Sequence, residues 1–232
     1  MKKNLVSTLV LLVVMLVVGG AGIAIGRHWN TVTPVSTTST STTTTVAATA
    51  QPASAIWPFA SSATRFADPT TAAETFATDY LGFVRPTIGV FQRGDSRSGE
   101  IVVQSTAANE GTTILLRQLT PANTWWVIGA VSSHLVISLP SALSQVTSPM
   151  ELRGQSTAFE AVVNVELRQD GSLRPLMKST MLGGSMGAMG PFMGRFNFTP
   201  PQAIGGAVVL RTYSAKDGSV VDASALRVLF AH

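Results

Sequence analysis

Acid–base or nucleophilic chemistry needs a few reactive side chains brought together, and this chain of 232 residues holds 3 His, no Cys and 12 Asp+Glu. The lack of Cys excludes disulfides, thiolate nucleophiles and Cys-ligated metals. Of the remaining groups, His134 falls in an apolar run with Val131, Leu135 and Ile137 and is expected to be satisfied locally rather than to act as a base. Asp79 and Tyr80 close an expected helix with no His or second carboxylate that the sequence places beside them, so a structural role is expected. Glu160 follows Phe159 at a strand entrance, where it is expected to accept backbone or Arg hydrogen bonds at a sheet edge. Asp217 and Asp222 are oxygen donors that a calcium site could use, but a hairpin turn explains them better. Met186, Met189 and Met193 have the soft thioethers and the spacing that could fold around Cu(I); the competing reading is an adaptable apolar loop, and it is preferred because no His or Cys flanks the cluster. No catalytic residue, no cofactor-binding residue, no cofactor and no metal is therefore assigned, with Met186, Met189 and Met193 kept as the Cu(I) candidates.

Charge narrows the partners. The formal net charge of +4 comes from 16 Lys+Arg, of which Lys2, Lys3 and Arg27 flank the first apolar run, leaving 13 against 12 acidic residues in the rest. Those 13 are scattered singly, without the clustered basic footprint of a nucleic-acid binder, so nucleic acid is excluded as a partner.

The elements that must carry these residues begin with Leu5 to Ile25, an uncharged Leu/Val-rich run of bilayer-spanning length. Lys2 and Lys3 on its amino-terminal side place that side in the cytoplasm and everything after Arg27 outside. Residues 1–27 are expected to be a transmembrane anchor. A cleaved signal is the alternative, with small residues at Gly22-Ile23-Ala24 or Ala24-Ile25-Gly26, and either one exports the remainder. Residues 28–65 are expected to form a disordered linker: no charge occurs from His28 to Thr64, and Ser36 to Thr45 is unbroken Ser/Thr. Ile56-Trp57-Pro58-Phe59 interrupts its polarity and is expected to dock on the domain that follows.

Residues 66–140 are expected to form a small α+β domain. Asp68-Pro69 is a helix start, and Ala73, Phe76, Ala77 and Tyr80 recur at helical spacing up to Gly82. Strand-like runs follow at Thr87–Gln92, Glu100–Ser105, Thr113–Leu119, Trp125–Val131 and His134–Leu139, so the helix is expected to cover one face of an antiparallel sheet. This layout, with Asn123-Thr124-Trp125-Trp126-Val127-Ile128-Gly129, resembles cystatin-like or nuclear-transport-factor-2-like envelope domains, a resemblance that implies a cone-shaped ligand cavity in this domain.

Residues 145–230 read as short strands separated by turns such as Asp170-Gly171 and Asp217-Gly218, the pattern of a β-sandwich. Val163, Val165 and Leu167 alternate with Asn164, Glu166 and Arg168, giving one buried and one wet face. Ser148-Pro149 to Gly154, then Ala158-Phe159-Glu160-Ala161, Gly190-Pro191-Phe192, Phe196-Asn197-Phe198 and Asp217-Gly218 are similar, in type and order, to the immunoglobulin-like domain of bacterial spore germination proteins. The resemblance implies an Ig-like sandwich without catalytic residues, attached to an anchor or to other extracellular modules.

The expected fold class is thus mainly β, with an N-terminal transmembrane helix, a disordered Ser/Thr linker, a small α+β domain and an Ig-like β-sandwich. The expected function is non-enzymatic: a membrane-anchored extracytoplasmic binding or scaffolding protein of a bacterial cell envelope, whose partner is an envelope protein or a cell-wall component. The alternative is a small-ligand carrier or sensor using a cavity in the first domain. A hydrolase would require His134 to meet a Ser or a carboxylate in an open cleft.

Overall fold

A computed structural model describes residues 50–106, 111–119 and 122–231. The expected anchor at 1–27 and most of the expected linker lie outside these residues. Among the described residues no helix is long and apolar enough to cross a membrane.

The fold is mainly β, with antiparallel sheets and one short helix. Asp68 caps helix α1 (Pro69–Thr75), its carboxylate accepting from the Thr71 backbone N–H at 2.8 Å, while Pro69 occupies the first turn where its missing donor is not needed. The helix widens into π turns over Phe76–Leu81 and stops at Gly82, whose φ of +85° supplies the left-handed C-cap. The expected stripe of Ala73, Phe76, Ala77 and Tyr80 is buried.

The strands are β1 (Thr87–Ile88), β2 (Gln92–Arg93), β3 (Ser98–Gln104), β4 (Thr112–Leu119), β5 (Thr124–Val131), β6 (Leu135–Leu139), β7 (Gln145–Val146) and β8 (Met150–Ala158). A single turn at Phe159–Ala161 leads into β9 (Val162–Gln169), β10 (Pro175–Leu182), β11 (Gly184–Ser185), β12 (Gly190–Phe196), β13 (Gly205–Tyr213) and β14 (Val220–Phe230). Ten of them form one sheet with the path β1-β3-β4-β5-β14-β13-β9-β10, with β2 and β7 at its margins. The other four, β6, β8, β11 and β12, form a second sheet.

Three layers result. On one face of the large sheet, Phe76, Leu81, Ile101, Ile114, Leu116 and Val127 close a core under the helix. On the other face, Val163, Val165, Leu167, Val208 and Leu210 meet Leu152, Phe192 and Phe196 of the small sheet in a second core. The alternation anticipated for β9 accounts for this second core. Its partner face is not wet, however, because Glu166 and Arg168 are buried beneath the end of the helix.

The expected junction between residues 140 and 145 is crossed twice. Last in sequence, β14 lies between β5 and β13, pairing Ala225 with Ala130 and Leu226 with Gly129, so strands from both expected domains share one sheet. Strand β6, expected in the first meander, instead pairs with β8 in the small sheet. The linker also ends earlier than expected. Ile56 is buried, Trp57 bridges to Val127 and stands 5.1 Å from Phe59 and 5.9 Å from Tyr80, and the Gln51 side chain bonds Ala55, Pro58 and Ala60. The docking expected of this aromatic cluster is what brings residues 51–60 into the fold.

Buried arginines fasten the helix to the sheet. Arg168 donates to the Tyr80 carbonyl at 2.7 Å and lies 4.7 Å over the Tyr80 ring, while Arg211 reaches the Leu81 carbonyl at 3.4 Å. These carbonyls are among the last of the helix, which have no partner inside it, and the guanidiniums oppose its negative dipole end. Glu166 joins the two cations: it accepts from Arg168 Nε at 2.8 Å, pairs with Arg211, and is 3.2 Å from Lys178 Nζ. Beside them Arg227 grips Asp170 with both Nη atoms and donates from Nε to the Ala53 carbonyl at 2.8 Å. Desolvation alone would push the Glu166 carboxyl up, but the guanidiniums of Arg211 and Arg168 outweigh it and hold it below the usual carboxylate range. Burial pushes the Tyr80 hydroxyl well up, so it stays neutral.

Candidate functional site

The sandwich opens at one end into a groove of about 470 Å³. Its floor is made by His134, Thr212, Val221 and Asp222 at the ends of β6, β13 and β14, and its walls by two loops.

One wall is the β13–β14 hairpin, where Ser214 N–H bonds Ser219 O at 2.8 Å and Gly218, with φ +71°, turns the chain. Asp217 accepts from the Ser219 hydroxyl at 2.7 Å and its N–H at 3.1 Å, the bonds that hold its carboxyl below the usual range. Asp217 is therefore the turn residue expected, and the hairpin brings Tyr213, Ser214 and Lys216 to the groove. The opposite wall pairs the end of β8 with β11 in parallel, Thr157 with Gly184 and Ala158 with Ser185, and Gly183 N–H bonds Ala161 O at 2.9 Å. A Cβ on Gly184 would come within 2.2 Å of the Ala188 carbonyl oxygen, so only glycine allows this approach. Phe159 and Met186 emerge from this wall, 57% and 82% exposed. The wall has a backbone cost, because Glu160, Ala161 and Met186 adopt φ of 60°, 61° and 57° without being glycine.

At the floor, His134 Nδ1 lies 3.2 Å from Asp222 Oδ2, and the Ser132 hydroxyl donates to Asp222 Oδ1 at 2.9 Å. The Asp222 side chain is 5% exposed and that of His134 34%. An imidazole oriented by a buried carboxylate can hold a proton at a fixed place. The Ser132 hydroxyl thus pairs with the carboxylate on the oxygen that the imidazole leaves free. It also accepts from the His134 backbone N–H at 3.1 Å and so fixes the turn that carries the ring. Among the described residues no group of three or more His, Asp or Glu is gathered to hold a metal ion.

The residues singled out in the sequence separate accordingly. His134 and Asp222 come together across 88 positions, and Asp222, expected in a hairpin turn, is a buried member of β14. Asp79 is exposed and accepts from the neighbouring Thr78 hydroxyl at 3.1 Å, while Tyr80 stacks on Phe76 at 4.9 Å. Glu160 is exposed and, among the described residues, bonds no Arg, because the left-handed turn replaces the strand edge expected there. Of the methionines, Met186 lines the groove, Met189 and Met193 are exposed elsewhere, and Met181 is packed in the sandwich core. Lys216 and Tyr213 were missed, since an exposed Lys in a turn and a Tyr ending a strand carry no signal until the fold gathers them.

The protein class these observations define is an Ig-like β-sandwich extended by a helix-covered sheet, with a preformed groove at one end. Residues 134–219 match the family model for the immunoglobulin-like domain of bacterial spore germination, as the order of their motifs implied. No curated protein and no solved structure matches the chain. The matched segment stops one residue short of β14, the strand that completes the groove floor and joins the two parts of the sheet.

Proposed function

We propose that this is a non-enzymatic, membrane-anchored binding or scaffolding protein of a bacterial cell envelope, with everything after the first apolar run held outside the membrane. The observation that carries the reading is the groove: Phe159, Met186 and Tyr213 stand 57%, 82% and 38% exposed on its walls around a recessed polar floor. Large apolar side chains left to solvent around a recess mark an interaction site. The family match supports an Ig-like sandwich of the germination type, and the apolar run and Ser/Thr tract of the sequence support an anchor and a spacer.

A carrier with its cavity under the helix has no comparable support, because Phe76, Leu81, Ile101, Ile114, Leu116 and Val127 already fill that space. The His134–Asp222 pair in the groove is the arrangement required above for a hydrolase, which makes that the second reading; the Ser132 bond to the carboxylate favours a fixed floor over a relay. Fractionation with protease accessibility in whole cells tests the topology: the carboxy-terminal part should be cut from outside, and intact chain in the cytosol refutes the reading. Photo-crosslinking from position 159 in cells should recover an envelope component.

A further inference from the structure

We propose that the groove binds a neutral oligosaccharide, with sugar rings against Phe159 and Tyr213 and sugar hydroxyls against the floor; the proposal rests on the binding role given above. A pyranose ring has an apolar C–H face and a rim of hydroxyls, so its site needs flat apolar surface beside fixed donors and acceptors. The groove has both. Phe159, Tyr213 and Met186 supply the apolar surface, and Thr157, Thr212 and Ser214, which line the groove with them, carry hydroxyls.

Charge excludes other occupants. Among the described residues the groove is lined by one ammonium, Lys216, and one carboxylate, Asp222, the latter already paired with His134. It offers no net field to a polyanion or a polycation, which would need several like charges. An apolar partner helix would have to cover the lining Thr157 and Ser214 without giving their hydroxyls hydrogen bonds, at a desolvation cost that a hydroxylated ligand avoids. The volume of about 470 Å³ lies within the roughly 300–1,000 Å³ of small-ligand sites. The walls are also set in advance: the parallel β8–β11 pairing and the Asp217–Ser219 bonds fix both loops, so binding orders few side chains.

The test uses the full chain in a zwitterionic detergent free of sugar, titrated with chitotetraose and with cellotetraose and followed by calorimetry and saturation-transfer NMR. Saturable binding is expected. Binding of chitotetraose alone assigns acetamido sugars, and binding of both assigns the ring and its hydroxyls. Phe159→Ala should weaken binding about tenfold, the scale of losing one aromatic platform, with an unchanged unfolding temperature because the side chain is exposed. Tyr213→Ala should weaken it similarly. Absence of binding by both sugars, or unaltered binding by both variants, overturns the proposal. If the sugars fail while crosslinking from position 159 captures an envelope protein, the glycan assignment falls and the envelope role stands. If sugar binding is present but the intact chain fractionates to cytosol, the site stands and the envelope role falls.

Discussion

Replacing Glu166 by Gln tests whether the buried cluster under the helix is held by charge. The substitution keeps the shape of the side chain and one acceptor oxygen, but leaves Arg168 and Arg211, 6% and 8% exposed, facing each other without an anion between them. Removing one member of a buried ion pair costs about 3–5 kcal/mol, because the remaining charge stays desolvated. The retained amide oxygen can still accept from Arg168, and Lys178, 67% exposed, turns to water at little cost, so the low end, about 3 kcal/mol, is expected. For a folded unit of this size that corresponds to a fall in unfolding temperature of about 6–12 °C. The matched control is Glu151→Gln, whose partner Arg153 is 55% exposed and whose loss should stay within about 0.5 kcal/mol. The assay is thermal and urea unfolding of both variants followed by circular dichroism. The pH dependence has a definite sign: the folded-state pKa of Glu166 is lowered, so its contribution is complete above the unfolded value of about 4.3 and is lost as pH falls through the folded value. The gap between wild type and Glu166→Gln should therefore be flat above about pH 5 and close in stronger acid. A gap below about 1 kcal/mol at neutral pH would refute the reasoning, and would mean that the Tyr80 and Leu81 carbonyls suffice to hold both guanidiniums.

Three further outcomes follow from single features. Asp68→Ala removes the acceptor for the Thr71 N–H and hydroxyl and should cost about 1 kcal/mol, read as a lower urea midpoint with unchanged slope. Leu210→Ala, at a fully buried position between the sheets, should cost about 2–5 kcal/mol and lower the unfolding temperature of the whole fold in one transition, because β13 serves both cores. Replacing Met186 and Met189 together by Leu should leave Cu(I) uptake unchanged in a competition titration with a chromogenic chelator, since Met186 lines the groove while Met189 and Met193 are exposed outside it.

Local signals made most of the elements legible. The Asp68-Pro69 start, the buried stripe to Tyr80 and the Gly82 stop each depend on residues within a turn or two, and the structure contains all three. The strands of the second half fall close to the expected runs because alternation and Asp-Gly turns are also short-range, and the Ig-like match follows the expected order of motifs. Features set by partners distant in the chain were not legible. Glu166 and Arg168 look like the wet side of a strand, and only the helix end, 88 positions before Arg168, explains why they are buried. Asp222 looks like a turn residue until Ser132, 90 positions away, donates to it. Tertiary pairing overrides local polarity at such sites, and buried charged groups are retained there because each has a specific counterpart.

The strand that the family match omits does the joining. β14 pairs with β5 on one edge and β13 on the other. Near its start Asp222 fixes His134 at the groove floor, and five residues on, Arg227 holds the Ala53 carbonyl and Asp170. At about 3.3 Å per residue these points lie about 17 Å apart along one hydrogen-bonded strand. A load entering through residues 51–60, where the proposed spacer meets the fold, passes to β14 through the Arg227–Ala53 bond and to β5 through the backbone bonds of Trp57 with Val127. Both routes enter the central strands of the large sheet, where load is shared across ladders on each side, while the two groove walls lie in loops beyond them.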